Sequence, residues 1–353
     1  MLTVVPSVDV EAAHGRSPFE QLILGQLDNG KECGVYRIAD ILNRYGVQGT
    51  FFVDVYEYCL WGEDKFRALL NGLLDASMDV QLHTHPSWRW DDRDTRKLND
   101  YKAKRSFYPS DKDLMAKLSL SEQTEIISHG VEKMLEWTGV EPVIHRSGGY
   151  SVNEDTISAL AAVGLDFDSS VNAASPNTLI TAPQNAPYRI GAIVEFPLTT
   201  AKLRSPLSRL PGVDLGEIKT ELKNYTLKML IAYAEESIAL GSKYMSLFMH
   251  SYDLMIFSKG WHSAEENKFA IEILEDFLGW CNDHEGIQVR SYVELISDPA
   301  LAAILREGKA APPIISVPSN RIFSAGLRRM KKIVSSPQLS MSVSRKRHQL
   351  DAD

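Results

Sequence analysis

The stretch Val80-Gln81-Leu82-His83-Thr84-His85-Pro86 places two histidines one residue apart at the end of an apolar run. Alternate side chains of an extended segment project to the same side, so His83 and His85 face together while Leu82 points towards a core. Pro86 stops the strand from pairing further. Two imidazoles held this way suit a divalent ion of the Zn, Co, Ni or Fe type. Two partly buried histidines that bond to nearby loops would also show this short pattern.

Around this stretch, short strand-like runs alternate with segments of helical period. Strands are expected at residues 4–10 (weakened by Pro6), 49–55, 79–83, 142–145, 165–168, 192–196, 244–250 and 287–290. Helices are expected at residues 34–45, 65–76, 121–137, 153–163 and 264–281, with a cap for the third within residues 121–124. Asn153 and Gly164 are the expected caps of the fourth helix. Repeated alternation of strand and helix predicts an α/β fold with a parallel sheet or barrel.

Composition narrows the class of protein. The 353 residues are 44% hydrophobic and 24% charged, enough for a large core. We expect a barrel over residues 1–300 and an extension over residues 301–353. The net charge of -8 and the pI near 5.7 argue against a nucleic-acid partner. Three widely spaced cysteines favour a reducing compartment. No signal-peptide pattern precedes Asp9, so a cytoplasmic location is expected.

Two segments interrupt the alternation. Residues 88–118 are polar and aromatic, too long for a simple connection, and are expected to form a substrate loop or a surface insertion. From about residue 312 the chain is rich in Pro and Ser and then in Lys and Arg. Such a tail is typical of a solvated, flexible segment. Its interleaved apolar residues also permit peripheral contact with the inner face of an anionic membrane.

Carboxylates follow the first predicted strand. It ends Ser7-Val8-Asp9-Val10-Glu11, with Asp9 and Glu11 on one face. An Asp-x-Glu after a strand is also typical of a capping or solvated pair. In a parallel barrel, however, all carboxyl ends of the strands meet at one mouth, so these carboxylates would converge with His83 and His85. Two imidazoles and a carboxylate with open coordination positions are what a hydrolytic metal site requires.

Two further strands end in polar residues. Val143-Ile144-His145-Arg146-Ser147-Gly148-Gly149-Tyr150 puts Arg146 before a close turn, as an ordinary surface arginine would also be. Residues 244–250 are strongly apolar up to His250, which lies at the end where catalytic groups sit in βα barrels. A hydrogen-bonded core histidine is the alternative for His250.

In this order the motifs resemble those of the polysaccharide deacetylases, the NodB-homology group or carbohydrate esterase family 4. The resemblance extends over residues 3–296 and includes Gly49-Thr50-Phe51-Phe52-Val53. Asp-Val-Glu with Leu-His-x-His-Pro-x-Trp resembles a branch that builds surface polysaccharides. The resemblance implies a distorted (β/α) barrel of about seven parallel strands.

The resemblance also implies roles for individual residues. Asp9 falls on the catalytic base and Glu11 on the metal-binding carboxylate. Arg146 falls on the arginine that bonds the base, and His250 on the general acid. The metal-binding histidines fall on His83 and, as a substitute, His85.

Three motifs depart from the family pattern. The usual adjacent pair of aspartates is Asp-x-Glu here, which leaves either Asp9 or Glu11 as the metal ligand. The usual second histidine position, four residues after the first, is Ser87. Arg-Ser-Gly-Gly-Tyr replaces Arg-x-Pro-Tyr.

Outer partners are expected as well. Asp168 or Asp253 is expected to orient His250 through a carboxylate–imidazole hydrogen bond. Three aromatic residues are expected either to stack on a sugar ring or only to pack: Trp88, Trp90 and Tyr150.

The leading hypothesis is a metal-dependent hydrolase, with zinc as the expected ion, that removes an N-acetyl group from an amino sugar in a surface polysaccharide or its precursor. A second hypothesis is hydrolysis of another C–N bond, as in a cyclic ureide or formamide, on the same scaffold. A third is a non-catalytic sugar-binding homologue. Asp9, Arg146 and His250 favour activity, because a binding module needs no acid–base pair.

Overall fold

The computed structural model divides the chain into two units: Met1–Ala201 with Ile218–Pro313, and Lys202–Glu217 with Ile314–Asp353. It describes residues 1–12, 23–27, 29–86, 113–181, 183, 185–204, 214–258, 263–307 and 311–316.

The strands are named in chain order. They are β1 (Leu2–Val10), β2 (Thr50–Asp54), β3 (Asp79–Thr84), β4 (Ile144–Ser147), β5 (Phe167–Asp168), β6 (Tyr188–Ile190), β7 (Ile193–Glu195), β8 (Thr200–Arg204), β9 (Asp214–Lys219), β10 (Tyr244–His250), β11 (Met255–Phe257), β12 (Ala264–Glu266), β13 (Ile287–Val289) and β14 (Ile314–Ser316). The α-helices are α1 (Val35–Arg44), α2 (Tyr58–Trp61), α3 (Glu63–Asp75), α4 (Leu120–Thr138), α5 (Glu154–Val163), α6 (Leu227–Ala239), α7 (Lys268–Asp283), α8 (Tyr292–Ser297) and α9 (Leu301–Glu307).

The larger unit is built on one sheet with the order β10-β1-β2-β3-β4-β5-β7-β6, and β13 also pairs with β1. The strands pair in parallel except β6, which runs antiparallel to β7. The sheet curls into a half-barrel with helices packed on it, so the predicted distorted (β/α) barrel is confirmed. In the second unit, β14 pairs in parallel with residues 202–204 of β8.

Pro6 does not interrupt β1, although it weakens the strand pattern in the sequence. One edge of β1 pairs with β10 over residues 3–9. The other edge pairs with β13 over residues 2–4 and with β2 over residues 7–10. Pro6 therefore falls between two partner strands, where its missing N–H leaves no ladder bond unmade.

The interior of the half-barrel is apolar up to the level of the strand ends. Buried side chains from five parallel strands and from α8 form one cluster, including Val5, Phe52, Ile144, Phe196 and Tyr292. Burying a side chain of this size stabilises the fold by about 1.5–3 kcal/mol. Both faces of these strands are covered, so every residue of β1, β2, β4 and β10 is buried, as in other parallel sheets.

Two helix starts differ from the expectation, because local caps decide them. The cap of α4 is Ser119, whose hydroxyl accepts from the Glu122 N–H while the Glu122 carboxylate accepts from the Ser119 N–H. The helix expected at residues 264–281 begins only at Lys268, because Asn267 caps it and residues 264–266 form β12, paired with β11. The expected caps of α5, Asn153 and Gly164, are confirmed.

Residues 88–112 of the expected substrate loop and the tail from residue 317 lie outside the described residues. Of the expected C-terminal extension, α9 and β14 are described. Among the described helices, none combines the length and the apolar character needed to cross a membrane.

Candidate active site

Parallel register brings the polar strand ends together at one mouth of the half-barrel. Asp9 of β1 pairs with His250 of β10. On the other side, His83 of β3 pairs with both Asp54 of β2 and Arg146 of β4. The expected convergence of these groups therefore follows from the sheet itself.

Glu11, His83 and His85, here called the Glu11 group, meet at this mouth. The Glu11 Oε2 atom lies 3.1 Å from His83 Nε2 and 2.6 Å from His85 Nε2. One donor atom from each residue lies within 4.8 Å of the others. Burial would raise the pKa of Glu11, but the charge of His85 and hydrogen bonds from both imidazoles hold it well below its usual range.

The outer nitrogen of each imidazole is already engaged. His83 Nδ1 lies 2.8 Å from the Arg146 carbonyl oxygen, and His85 Nδ1 lies 3.2 Å from both carboxylate oxygens of Asp113. With an ion in place of the Nε2 protons, an Nδ1–H that donates outward would leave the Nε2 lone pair for the ion, as in metal-binding histidines. Two such nitrogens and a carboxylate oxygen are a donor set that fits Zn²⁺ or a similar ion.

Gly148 makes room for His85. A Cβ added at Gly148 would lie 2.6 Å from three atoms of the His85 ring, closer than any real side chain approaches. The glycine after Arg-Ser and the close spacing of the two histidines, two separate departures in the sequence, therefore belong to one arrangement in space.

Asp9 is paired with a wholly buried arginine. Arg146 Nη1 donates to Asp9 Oδ1 at 2.7 Å, and its Nη2 donates to Ser169 Oγ at 2.9 Å. The guanidinium lies over the Phe52 ring at 3.9 Å from the centroid, which fixes its plane. Asp9 is 3% exposed, and its carboxylate lies beside the permanent positive charge of the guanidinium.

His250, Glu221 and Asp253, here called the His250 group, lie beside the Glu11 group. His250 Nε2 is 3.4 Å from Glu11 Oε1, while its Nδ1 is 3.3 Å from Glu221 Oε1 and 3.6 Å from Asp253 Oδ2. Burial would lower the pKa of His250, but hydrogen bonds to Asp253 and Glu221 and the charges of Asp253 and Glu11 raise it to about 9. The imidazole therefore holds a proton at neutral pH.

Two lysines neutralise the His250 group. Lys223 Nζ lies 2.7 Å from Glu221 Oε1 and 3.5 Å from Asp253 Oδ1, and Lys219 Nζ lies 3.4 Å from Glu221 Oε1. Burial would raise the pKa of Glu221, but the hydrogen bond with His250 and both lysine charges lower it to about 2.

Sequence reasoning missed several of these residues. Glu221 follows β9 in the alternating run Lys219-Thr220-Glu221, a pattern that signals side chains on one face. Asp54 ends β2 as Asp9 nearly ends β1, so the same strand-end signal applied to it. Asp113 closes the long insertion and carries no local signal. Tyr252 stacks on His250 with centroids 4.9 Å apart.

The structure corrects the prediction that Asp168 orients His250, because Asp168 bonds a different histidine. Its Oδ1 lies 2.9 Å from His145 Nδ1, and both side chains are wholly buried. The cause is register, since β5 pairs with β4 and sets Asp168 beside His145. Asp253, the other expected partner, is the one that lies against His250.

Of the three expected sugar-stacking residues, Tyr150 lies in the part of the chain that the structure describes. Tyr150 has a left-handed backbone (φ 59°), and its hydroxyl hydrogen-bonds Lys219. Its ring packs edge-on against Phe248 with centroids 6.1 Å apart. Trp88 and Trp90 lie outside the described residues, as does Ser87.

Comparison with solved structures supports the fold. A candidate polysaccharide deacetylase from Mycobacterium smegmatis is 18% identical, with 90% of this chain and 94% of that chain covered and a TM-score of 0.54. A 4-alpha-glucanotransferase from Thermococcus litoralis is 12% identical, with 90% of this chain and 42% of that chain covered and a TM-score of 0.50. At these identities the likeness concerns the fold, which serves more than one named activity.

Comparison with family models gives a match over part of the chain. Residues 18–167 match the model described as polysaccharide deacetylase. This part of the chain is therefore similar to the polysaccharide deacetylases, and the half-barrel fold agrees with that similarity. No curated protein sequence matches the chain.

Proposed function

We propose that this protein is a metal-dependent N-deacetylase that removes the acetyl group from an amino sugar of a surface polysaccharide or its precursor. The observation that supports this most directly is the meeting of three parts at one mouth: the Glu11 group, Asp9 paired with Arg146, and His250 with its carboxylate neighbours. The match of residues 18–167 to the polysaccharide deacetylase model favours the same activity.

The proposed metal ligands are Glu11, His83 and His85, with Zn²⁺ as the expected ion. When bound, such an ion supplies Lewis acidity, which lowers the pKa of a water and polarises an amide carbonyl. The outer hydrogen bonds of His83 and His85 hold their imidazoles in the required tautomer.

Proton transfer is proposed for the remaining groups. Asp9 accepts the proton of the attacking water, and the hydrogen bond from Arg146 holds its carboxylate in place for that step. His250 donates a proton to the departing amine, so that the product leaves as a neutral amine rather than as an unstable anion. Glu221 and Asp253 stabilise the imidazolium before the transfer.

The test is acetate release by metal-reconstituted protein from a panel of N-acetylated amino sugars as free oligomers, nucleotide-linked sugars and lipid-linked sugars. We expect at least one class to release acetate and an equal amount of free amine. A protein that binds its ion yet releases no acetate from any of them would contradict the proposal. Parallel assays with a formamide and a cyclic ureide test the other C–N hydrolases.

We further propose that the protein works in the cytoplasm on biosynthetic intermediates. In this proposal the basic tail contacts the inner face of the membrane. The motifs Asp-Val-Glu and Leu-His-x-His-Pro support the biosynthetic setting through the branch that they resemble, and the odd number and wide spacing of the cysteines agree with a reducing compartment. Fractionation of tagged protein, with and without the residues after Pro318, tests both points. Recovery outside the cell would refute the compartment, and unchanged membrane association on truncation would refute the tail's role.

A further inference from the structure

Asp54 holds the backbone of one proposed metal ligand. It ends β2, between the strands that supply Glu11 and His83, and its side chain is wholly buried. Its Oδ1 atom accepts hydrogen bonds from the backbone N–H groups of Tyr56 and His85, both at 3.2 Å. The bond to Tyr56 caps a local turn, whereas the bond to His85 spans two strands and fixes the point from which the imidazole projects.

Glu57 holds the backbone directly after Glu11, another proposed metal ligand. It is 1% exposed, and its Oε1 atom accepts from the backbone N–H of Ala12 at 2.7 Å. Ala12 directly follows Glu11, at the point where the chain leaves β1. A hydrogen bond of this length in a buried site, where water does not compete for either group, holds the backbone at Ala12 in place.

The second carboxylate oxygens of Asp54 and Glu57 make no such contact. Among the described residues, Asp54 Oδ2 and Glu57 Oε2 are buried without a hydrogen-bond partner. A strand end that served only the core would carry an apolar residue here, because burying a half-satisfied carboxylate is unfavourable. The contacts that Asp54 and Glu57 do make lead to His85 and to the residue after Glu11. Those two ligands are the ones whose spacing departs from the family pattern.

We propose that Asp54 and Glu57 are positioning residues, which hold the backbone at His85 and beside Glu11 so that imidazole and carboxylate reach the same metal ion. The proposal rests on the proposed function only in taking the Glu11 group as the ligand set. It assigns neither residue a contact with the ion or with the substrate.

Zn²⁺ affinity of the full-length protein, measured by competition with a chromophoric chelator, tests the proposal. We expect Asp54→Ala and Glu57→Ala each to bind Zn²⁺ about 10–100-fold more weakly, the usual effect of removing an outer-shell partner. Asp54→Asn and Glu57→Gln keep an acceptor oxygen for the backbone N–H, so their affinity should stay close to that of the wild type. The visible spectrum of the Co²⁺-loaded forms should change in the alanine variants and stay unchanged in the amide variants.

Asp79 provides a matched control. It is a buried carboxylate at the opposite end of β3 from His83, where it accepts from Thr50 Oγ1 and Gln81 Nε2, both at 2.6 Å. Asp79→Ala should lower the thermal midpoint of the metal-free protein but leave its Zn²⁺ affinity unchanged, as a purely structural carboxylate would.

The outcomes separate the two proposals. Wild-type protein that binds neither Zn²⁺ nor Co²⁺ would overturn both. Wild-type protein that binds Zn²⁺, with alanine variants that bind it equally well or with an equal loss in Asp79→Ala, would overturn only the positioning role. Should the alanine variants fail to fold, the amide variants decide: a loss of affinity as large as that of His85→Ala would show that the carboxylates act by charge or as ligands.

Discussion

The Glu11 group and the His250 group lie side by side at the mouth and are built from the same residue types, histidine and carboxylate, each with donor atoms within 4.8 Å of one another. They differ in whether a lysine lies against their carboxylates. In the His250 group the ammonium of Lys223 lies 2.7 Å from Glu221 and 3.5 Å from Asp253. No comparable lysine lies against the Glu11 group among the described residues.

This difference indicates separate tasks for similar side chains. A cluster whose carboxylates are already neutralised by lysines gains little from a divalent ion, and it can hold a protonated imidazole. A cluster of one carboxylate and two imidazoles without such a cation has open donor atoms for an ion. The residue types alone therefore do not separate a metal site from a proton donor; the neighbouring cations do.

Removing the ligands of the Glu11 group should have the largest effect. The double variant His83→Ala/His85→Ala should lose its bound divalent ion, because two of the three proposed ligands are gone. Its activity should therefore fall to the background rate. Elemental analysis of purified protein checks this, with circular dichroism as the control for folding. Retention of a full equivalent of metal would contradict the ligand assignment.

Removing the proton-transfer groups should cost activity but not metal. Asp9→Asn and His250→Ala should each lower turnover by about 10²–10⁴-fold. Both variants should keep the metal content of the wild type, which distinguishes them from the ligand variants. If His250→Ala turned over normally, another group would be the acid and the two clusters would not have separate tasks.

Weakening the carboxylate shell of His250 should shift a pH profile. The pKa of His250 is raised to about 9 partly by Glu221. In Glu221→Gln that pKa should be lower, and because the acid must be protonated to act, the basic limb of kcat/KM should move to lower pH. Activity should thus fall more at alkaline than at neutral pH. Asp168→Asn is the control, since Asp168 bonds His145, and it should leave the basic limb in place.

The smallest expected effect is the most direct test of the comparison. In Lys223→Ala the carboxylates of Glu221 and Asp253 lose a neighbouring cation, so the His250 group should bind a second, weaker divalent ion. Calorimetric titration with Zn²⁺ should reveal this extra equivalent. Lys31→Ala, which removes an exposed lysine paired with Glu266, is the control and should not. An unchanged stoichiometry in Lys223→Ala would mean that the lysine does not keep metal out.

The strand-end motifs could be predicted because their signals are local. Residues 79–85 show the period of a strand and the same-face histidines within seven letters, and β3 is Asp79–Thr84. The interpretation of 244–250 as a strand ending at His250 matches β10. The parallel register of a barrel then brings such ends to one mouth, which is why Asp9 and Glu11 were expected to converge with the two histidines of residues 79–85.

Outer partners could not be predicted in the same way. Asp253 was predicted as a partner because it lies only three residues after His250. Glu221 was missed because it lies in a different part of the chain, between β9 and α6. Asp168 was assigned to His250 because nothing in the sequence says that β5 sits beside β4 and away from β10.

The sequence by itself determined the half-barrel and the residues at its strand ends, because hydrophobic period and turn residues act over a few positions. Only the tertiary structure decided which neighbours those residues meet. It set Asp113 and Gly148 against the His85 ring, Asp54 and Glu57 against the backbone beside the ligands, and two lysines among the carboxylates around His250. Most of these contacts join residues far apart in the chain, and the electrostatic effect of all of them depends on distances of a few ångströms, which the order of the residues does not contain.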